Sequence, residues 1–185
     1  MRAVITGASS GIGEALARRY AGPHNALGLI ARRKDALEAL AASLPGHSAV
    51  YPLDVADEQA LARAAEDFVA RFGPPELVIA NAGVSAGTHG ETAGDLARLR
   101  RLLEVNVLGL AATLAAFAPA MRAAGRGTLC GIASVSAFRG LAGAGGYCAS
   151  KAAAITWLES LRVELRGSGV LVAVDPCARA TSIPP

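Results

Sequence analysis

Tyr147 and Lys151 stand four residues apart, and Ser134 precedes the tyrosine by thirteen. Side chains of these types can move a proton. On a helix, residues four apart share a face one turn apart, so a helix beginning near Tyr147 sets an ammonium against a phenol. An ammonium in that place favours the phenolate. A tyrosine tuned this way exchanges a proton with an alcohol or a carbonyl oxygen. Ser134 closes an apolar run, and the glycine-rich 135–146 loop can return its hydroxyl to the same oxygen. A tyrosine–lysine pair at this spacing is also common on helix surfaces, so the pair alone decides little. Lysine usage adds weight: of 18 basic residues, only Lys34 and Lys151 are lysines. A compact, tunable ammonium is not interchangeable with a guanidinium.

These residues need a scaffold that carries them to one edge. The chain has 185 residues, enough for a single domain, 1–185. It is 52% hydrophobic and only 4% aromatic, so its core must be aliphatic. A net charge of +3, scattered along the chain, gives no basic stripe and argues against nucleic acid or a membrane surface as partner. Cys130, Cys148 and Cys177 form neither a disulfide framework nor a metal-ligand spacing, which suits the cytoplasm, and no metal site is expected. Neither a signal peptide nor an apolar run long enough to span a bilayer is expected.

The order of elements is strand then helix, repeated. Arg2–Thr6 reads as a buried strand, Gly7–Gly13 as a glycine loop, and Glu14–Tyr20 as a helix. That is the context of a dinucleotide site, where backbone N–H groups of Gly7, Ser9, Ser10, Gly11, Ile12 and Gly13 approach a pyrophosphate at a helix N-terminus. A second strand over 25–31 ends at Arg32 and Arg33. An acid at this place would bind a ribose 2′-hydroxyl, whereas arginine accommodates a 2′-phosphate, so NADP(H) is expected over NAD(H). Further strands are predicted over 47–53, 76–80, 127–134 and 169–174, with helices over 34–43, 57–72, 96–122 and 147–166. Gly7, Arg32, Asp54, Asn81 and Ser134 each follow or end a strand, where open α/β sheets bind ligands. The expected fold is therefore α/β, a doubly wound parallel (Rossmann) sheet of about six strands.

The whole pattern resembles the short-chain dehydrogenases/reductases. Thr6-Gly-x-x-x-Gly-x-Gly13, Asp54-Val55, Asn81-Ala82-Gly83, Asn106, Ser134 and Tyr147-x-x-x-Lys151 carry the resemblance, which runs from Ala3 to Thr181. It implies an NADP(H)-dependent enzyme that interconverts an alcohol and a ketone or aldehyde. Tyr147 would be the acid/base and would also meet the cofactor, and Ser134 would bind the substrate oxygen. Lys151 would tune the tyrosine and hold the nicotinamide ribose, and Asn106 would support the lysine through water at a helix kink. Asp54 and Val55 would meet the adenine, and Asn81, Ala82 and Gly83 would run along the adenosine ribose. Pro176 and Thr181 would border the nicotinamide and pyrophosphate, with Cys177 where the family usually has glycine. The resemblance also implies a homodimer formed through the helices that carry Asn106 and Tyr147.

Members of that family usually continue with a lid, a further helix and a seventh strand, whereas this sequence reaches Pro185. The sixth strand is then expected to be a sheet edge. A non-catalytic NADP(H)-binding scaffold or sensor is the alternative this raises.

Overall fold

A computed structural model describes residues 1–176. Six strands form one parallel sheet in the order β3-β2-β1-β4-β5-β6. They are β1 (Arg2–Thr6), β2 (Ala26–Ala31), β3 (His47–Pro52), β4 (Leu77–Ala80), β5 (Gly127–Ile132) and β6 (Val170–Asp175). The helices are α1 (Gly11–Tyr20), α2 (Lys34–Ser43), α3 (Glu58–Phe72), α4 (Asp95–Leu103), α5 (Leu110–Ala124) and α6 (Gly145–Glu164). This is the doubly wound Rossmann order, and the winding reverses between β1 and β4.

The central strands are apolar on both faces because helices cover both. All of β2 and β4 is buried, and so is β1 after its first residue. Alternate residues serve opposite cores. Val4, Ile30, Val78 and Leu129 pack with Phe68, Phe117 and Leu158 of α3, α5 and α6. Ile5, Leu29, Ile79 and Cys130 pack with Leu16 and Tyr20 of α1 and with Leu37 and Leu40 of α2. Pro52, which cannot donate to a ladder, falls on β3, an edge strand paired only with β2. Gly131 sets the height of α6 above β5: a Cβ there would collide with Leu158 and lie 3.2 Å from Leu110 Cδ1. Its bare backbone lets the two helices seat closely on the strand that leads to Ser134.

The boundaries differ from expectation where local chemistry intervenes. The 57–72 helix starts one residue later, because Asp57 is its cap and accepts the Ala60 N–H at 2.9 Å. The strand expected over 127–134 ends at Ile132. Ser134 then opens a 3₁₀ turn, Val135–Phe138, by accepting the Ser136 N–H at 3.1 Å. The helix expected over 96–122 is interrupted by a π turn at Glu104–Gly109. By length and composition the run 95–124 could cross a membrane, contrary to the expectation that no run is apolar enough. Here Leu102, Val105, Leu110, Leu114, Phe117 and Met121 are instead core side chains against the sheet. Among the described residues β6 is an edge, as expected, and Leu171 on it is 69% exposed.

Candidate active site

Because all six strands are parallel, their carboxyl ends lie along one edge, and the five strand-end residues come together there. Gly7 follows β1, Arg32 follows β2, Asp54 lies just past β3, Asn81 follows β4 and Ser134 lies just past β5. A cleft of about 440 Å³ opens at the reversal between β1 and β4. That volume is within the usual range for a small-molecule or cofactor site. Gly7, Ser9, Ser10, Ile12, Arg32, Arg33, Asp54, Val55, Asn81, Ala82 and Gly83 are among the residues that line it.

Gly13 is buried behind this wall, whereas Gly11 is exposed in open space and takes a positive φ of 58°. A side chain on Gly13 would strike the Gly7 carbonyl and lie 2.7 Å from Asn81 Nδ2. The glycine loop and the strand-end asparagine are thus in direct contact. Thr6 completes that contact: its hydroxyl accepts the Asn81 and Ala82 N–H groups, each at 3.0 Å, while Asn81 Nδ2 donates to the Thr6 carbonyl at 2.9 Å. Arg33 is bound to the same loop, donating from Nη2 to the Ser9 carbonyl at 3.0 Å and to its hydroxyl at 3.2 Å. Ser10, at the N-cap of α1, makes no side-chain bond to the first turn. The leading N–H groups of α1 therefore face the cleft without a side-chain cap. A helix N-terminus, a bare glycine wall and two arginines fit a phosphate-rich dinucleotide.

The second half of the site is carried by α6. Lys151 is 4% exposed, and its Nζ donates to the Ile132 carbonyl at 2.8 Å, which anchors the ammonium at the end of β5. The same Nζ lies 6.0 Å from the centroid of the half-buried Tyr147 ring. A Cβ on Gly83, at the cleft wall, would lie 3.5 Å from it. Lys151 thus sits between the tyrosine and the cleft, although neither Tyr147 nor Lys151 lines the cleft itself. The Ser134 turn packs on α6, and the Ser134 hydroxyl is half-buried.

Asn106 is fully buried at the centre of the π turn. Its Oδ1 accepts the Val84 N–H at 2.8 Å, and its Nδ2 donates to the Val84 carbonyl at 2.9 Å and to Ser150 Oγ at 2.9 Å. Ser150 in turn donates to the Tyr147 carbonyl at 2.8 Å. The kink expected at Asn106 is therefore a π turn, a feature frequent at functional sites. Its observed partners are the β4 loop and α6, so it positions the tyrosine helix.

Three contributors lie outside the residues singled out from sequence. Ser150 is described above. Thr88, 7% exposed, ties the two loops beside the site: its N–H donates to the Gly143 carbonyl at 3.0 Å, and its hydroxyl accepts the Gly146 N–H at 2.8 Å. Arg101 of α4 lines the cleft and lies 2.6 Å from Asp54. Pro176, at the end of β6, is exposed. Thr181 and Cys177 fall outside the described residues.

The Cys130 thiol is buried in the sheet. Burial, with Asp175 nearby, pushes the Cys130 thiol up to about 12, so it is no nucleophile. No metal-ligating cluster occurs among the described residues.

A model of the short chain dehydrogenase family matches residues 1–183. This chain belongs to that family. An uncharacterized oxidoreductase of Myxococcus xanthus is 42% identical over 174 residues, 92% of this chain and 68% of the relative. A metagenomic short-chain oxidoreductase solved in complex with NADP superposes with a TM-score of 0.88 at 32% identity, covering 94% of this chain and 80% of the other. An NAD+-bound xylitol dehydrogenase superposes with a TM-score of 0.86 at 26% identity, covering 94% and 68%. The chain spans as little as 63% of the length of the solved short-chain dehydrogenases it matches.

Proposed function

We propose that this short-chain dehydrogenase is an NADP(H)-dependent oxidoreductase that interconverts an alcohol and a ketone or aldehyde. The observation that carries this reading is the buried Lys151, one turn from Tyr147 on α6 and within 3.5 Å of the position a Cβ on Gly83 would take in the cleft wall. Bound there, the cofactor supplies the hydride. Tyr147 gives a proton to the carbonyl oxygen in reduction and takes it from the alcohol in oxidation. Lys151 holds its ammonium between the tyrosine ring and the cleft, where it would meet the nicotinamide ribose. Ser134 holds the substrate oxygen once its hydroxyl turns from the Ser136 N–H, and Asn106 fixes the pitch of α6 through Ser150. Arg32 and Arg33 select the 2′-phosphate. The relatives include both an NADP-bound and an NAD+-bound enzyme. The preference for NADP(H) therefore rests on these two arginines and on the lack of any acid at that strand end.

The scaffold reading is not favoured, because Ser134, Tyr147 and Lys151 are all present and the relatives are named as oxidoreductases. The test is Tyr147→Phe. Turnover of NADPH with a panel of ketones and aldehydes should fall by about 10²–10⁴-fold, while the calorimetric affinity for NADPH stays within about twofold, since the lost hydroxyl makes no contact in the cleft. Unchanged turnover would remove the tyrosine from the mechanism. NADPH binding without turnover in the parent chain would restore the scaffold.

A homodimer through the helical segments that carry Asn106 and Tyr147, the π turn and α6, belongs to the same reading. Exposed Leu108 and Val163 stand at the π turn and on α6, and a sedimentation run showing only monomer rejects it. The cytoplasm is the compartment we assign, on the free, buried Cys130 and Cys148; cell fractionation checks it.

A further inference from the structure

Asp54 is the only carboxylate among the residues lining the cleft, and Arg101 reaches it from across the sheet. Arg101 stands on α4, after β4, whereas Asp54 follows β3 on the far side of β1. Their contact is close, Nη2 to Oδ2 at 2.6 Å, and it holds both residues at the cleft wall. The other carboxylate oxygen, Oδ1, accepts the Ala56 N–H at 3.1 Å. A second guanidinium nitrogen of Arg101 lies 3.5 Å from Glu104 Oε2. The Asp54 pair is about a third exposed at each end, so it adds little to stability by itself. Its place suggests a different use. Arg32 lies within electrostatic reach of Asp54, so an anion held by Arg32 and Arg33 also feels the field of that carboxylate.

We infer that Arg101 is a specificity-determining residue: by pairing with Asp54 it cancels the one negative charge in the cleft and lets the cleft favour a dinucleotide carrying a 2′-phosphate. With Arg101, the charged residues of the lining are three arginines and one aspartate, 3 − 1 = +2; without it they sum to +1, and the uncovered carboxylate faces the phosphate. A 2′-hydroxyl carries no charge and is indifferent to this exchange. The inference rests on the NADP(H) reading of the cleft given above.

The test is calorimetry of the full chain with NADPH and with NADH, at low and at raised salt, for the parent, Arg101→Gln, Arg101→Lys, Asp54→Asn and the Arg101→Gln/Asp54→Asn pair. In Arg101→Gln the NADPH-over-NADH affinity ratio should fall about fivefold to tenfold at low salt and by less at raised salt, because the lost term is Coulombic. Arg101→Lys, which keeps the charge, should hold most of the ratio. Asp54→Asn in the Arg101→Gln background should restore it, since no carboxylate remains to repel the phosphate. An equal loss for both cofactors, with no recovery in the double variant, would show that Arg101 only shapes the wall and would overturn the inference while leaving the NADP(H) reading in place. An unchanged ratio in Arg101→Gln overturns it too. A parent chain that prefers NADH, or binds neither cofactor, overturns the NADP(H) reading and this inference together. Thermal midpoints of the variants separate loss of fold from loss of selectivity.

Discussion

Two of the clefts are of nearly equal volume and are built in opposite ways. The strand-end cleft, about 440 Å³, has most of its wall on residues just past β1, β2, β3 and β4, with Arg101 and Val105 added from α4 and the π turn. The cleft of about 420 Å³ between the 84–95 and 135–146 loops is lined by Thr88, Asp95, Leu96, Leu99 and Leu141. No strand reaches it. Its loops are held by side-chain contacts: Thr88 ties one to the other, and Asp95 accepts the His89 and Gly90 N–H groups at 2.6 and 2.9 Å. A sheet fixes backbone position through many shared bonds, so the first cleft is rigid by inheritance. The second depends on a few hydrogen bonds between loops, the kind of segment that varies most readily on a fixed scaffold.

Asn106 joins the two regions, and its loss should have the largest effect. Asn106→Leu would leave the half-buried Val84 N–H and carbonyl and the fully buried Ser150 hydroxyl without their partner. Each deserted buried group costs about 1–3 kcal/mol, so a loss of at least about 3 kcal/mol is expected in urea unfolding. Turnover should fall with it, because α6 loses its tie to the β4 loop. A variant as stable as the parent would show that the π turn does not depend on this asparagine.

Thr88→Val sharpens the comparison. It removes the acceptor of the Gly146 N–H, just before Tyr147, and keeps the shape. We expect a cost of about 1–3 kcal/mol from that one unsatisfied donor. Turnover should drop severalfold with NADPH affinity unchanged. Weakened NADPH binding would mean that the two clefts are not separately built.

What the sequence makes legible follows the same division. Apolar runs at Ala26–Ala31 and Leu77–Ala80, short and bounded by polar residues, read as strands buried on both faces, and the polar residues just beyond them then stand at the sheet edge. The wall of the strand-end cleft is therefore readable almost residue by residue. Asn106 is visible because a polar residue of poor helix propensity interrupts an apolar helix, yet its partners Val84 and Ser150 are 22 and 44 residues away and carry no local mark. Arg101 is hidden for another reason. It is one of three arginines in Asp95–Leu103, and only the tertiary fold brings one of them to Asp54 while Arg98 binds Asp95. Thr88 stands in a polar loop among similar residues. The boundary of β5 is misjudged because Ser134 caps a 3₁₀ turn, a choice made by one side-chain bond.

The smallest expected effect is in acid, and it touches both clefts. Burial opposes ionisation of Asp54, but the Ala56 N–H and the Arg101 guanidinium, with Arg32 farther off, outweigh it and hold the carboxyl below its ordinary 3.8. For Asp95 burial is likewise outweighed, by the His89 and Gly90 N–H groups and by Arg98. A carboxyl with a depressed folded value binds fewer protons folded than unfolded. Its stabilisation is therefore complete above the ordinary value of 3.8 and is lost as pH falls through the lower folded value. The urea midpoint should stay flat at neutral and mildly acidic pH and decline only in stronger acid. Asp95→Asn should lower the neutral midpoint and flatten the acid decline, because the amide oxygen still accepts a hydrogen bond but no longer titrates. An acid decline as steep as the parent's would mean that Asp95 does not order its loop through its charge, and the 84–95 loop would then be held by Thr88 and by the Asn106 bonds to Val84.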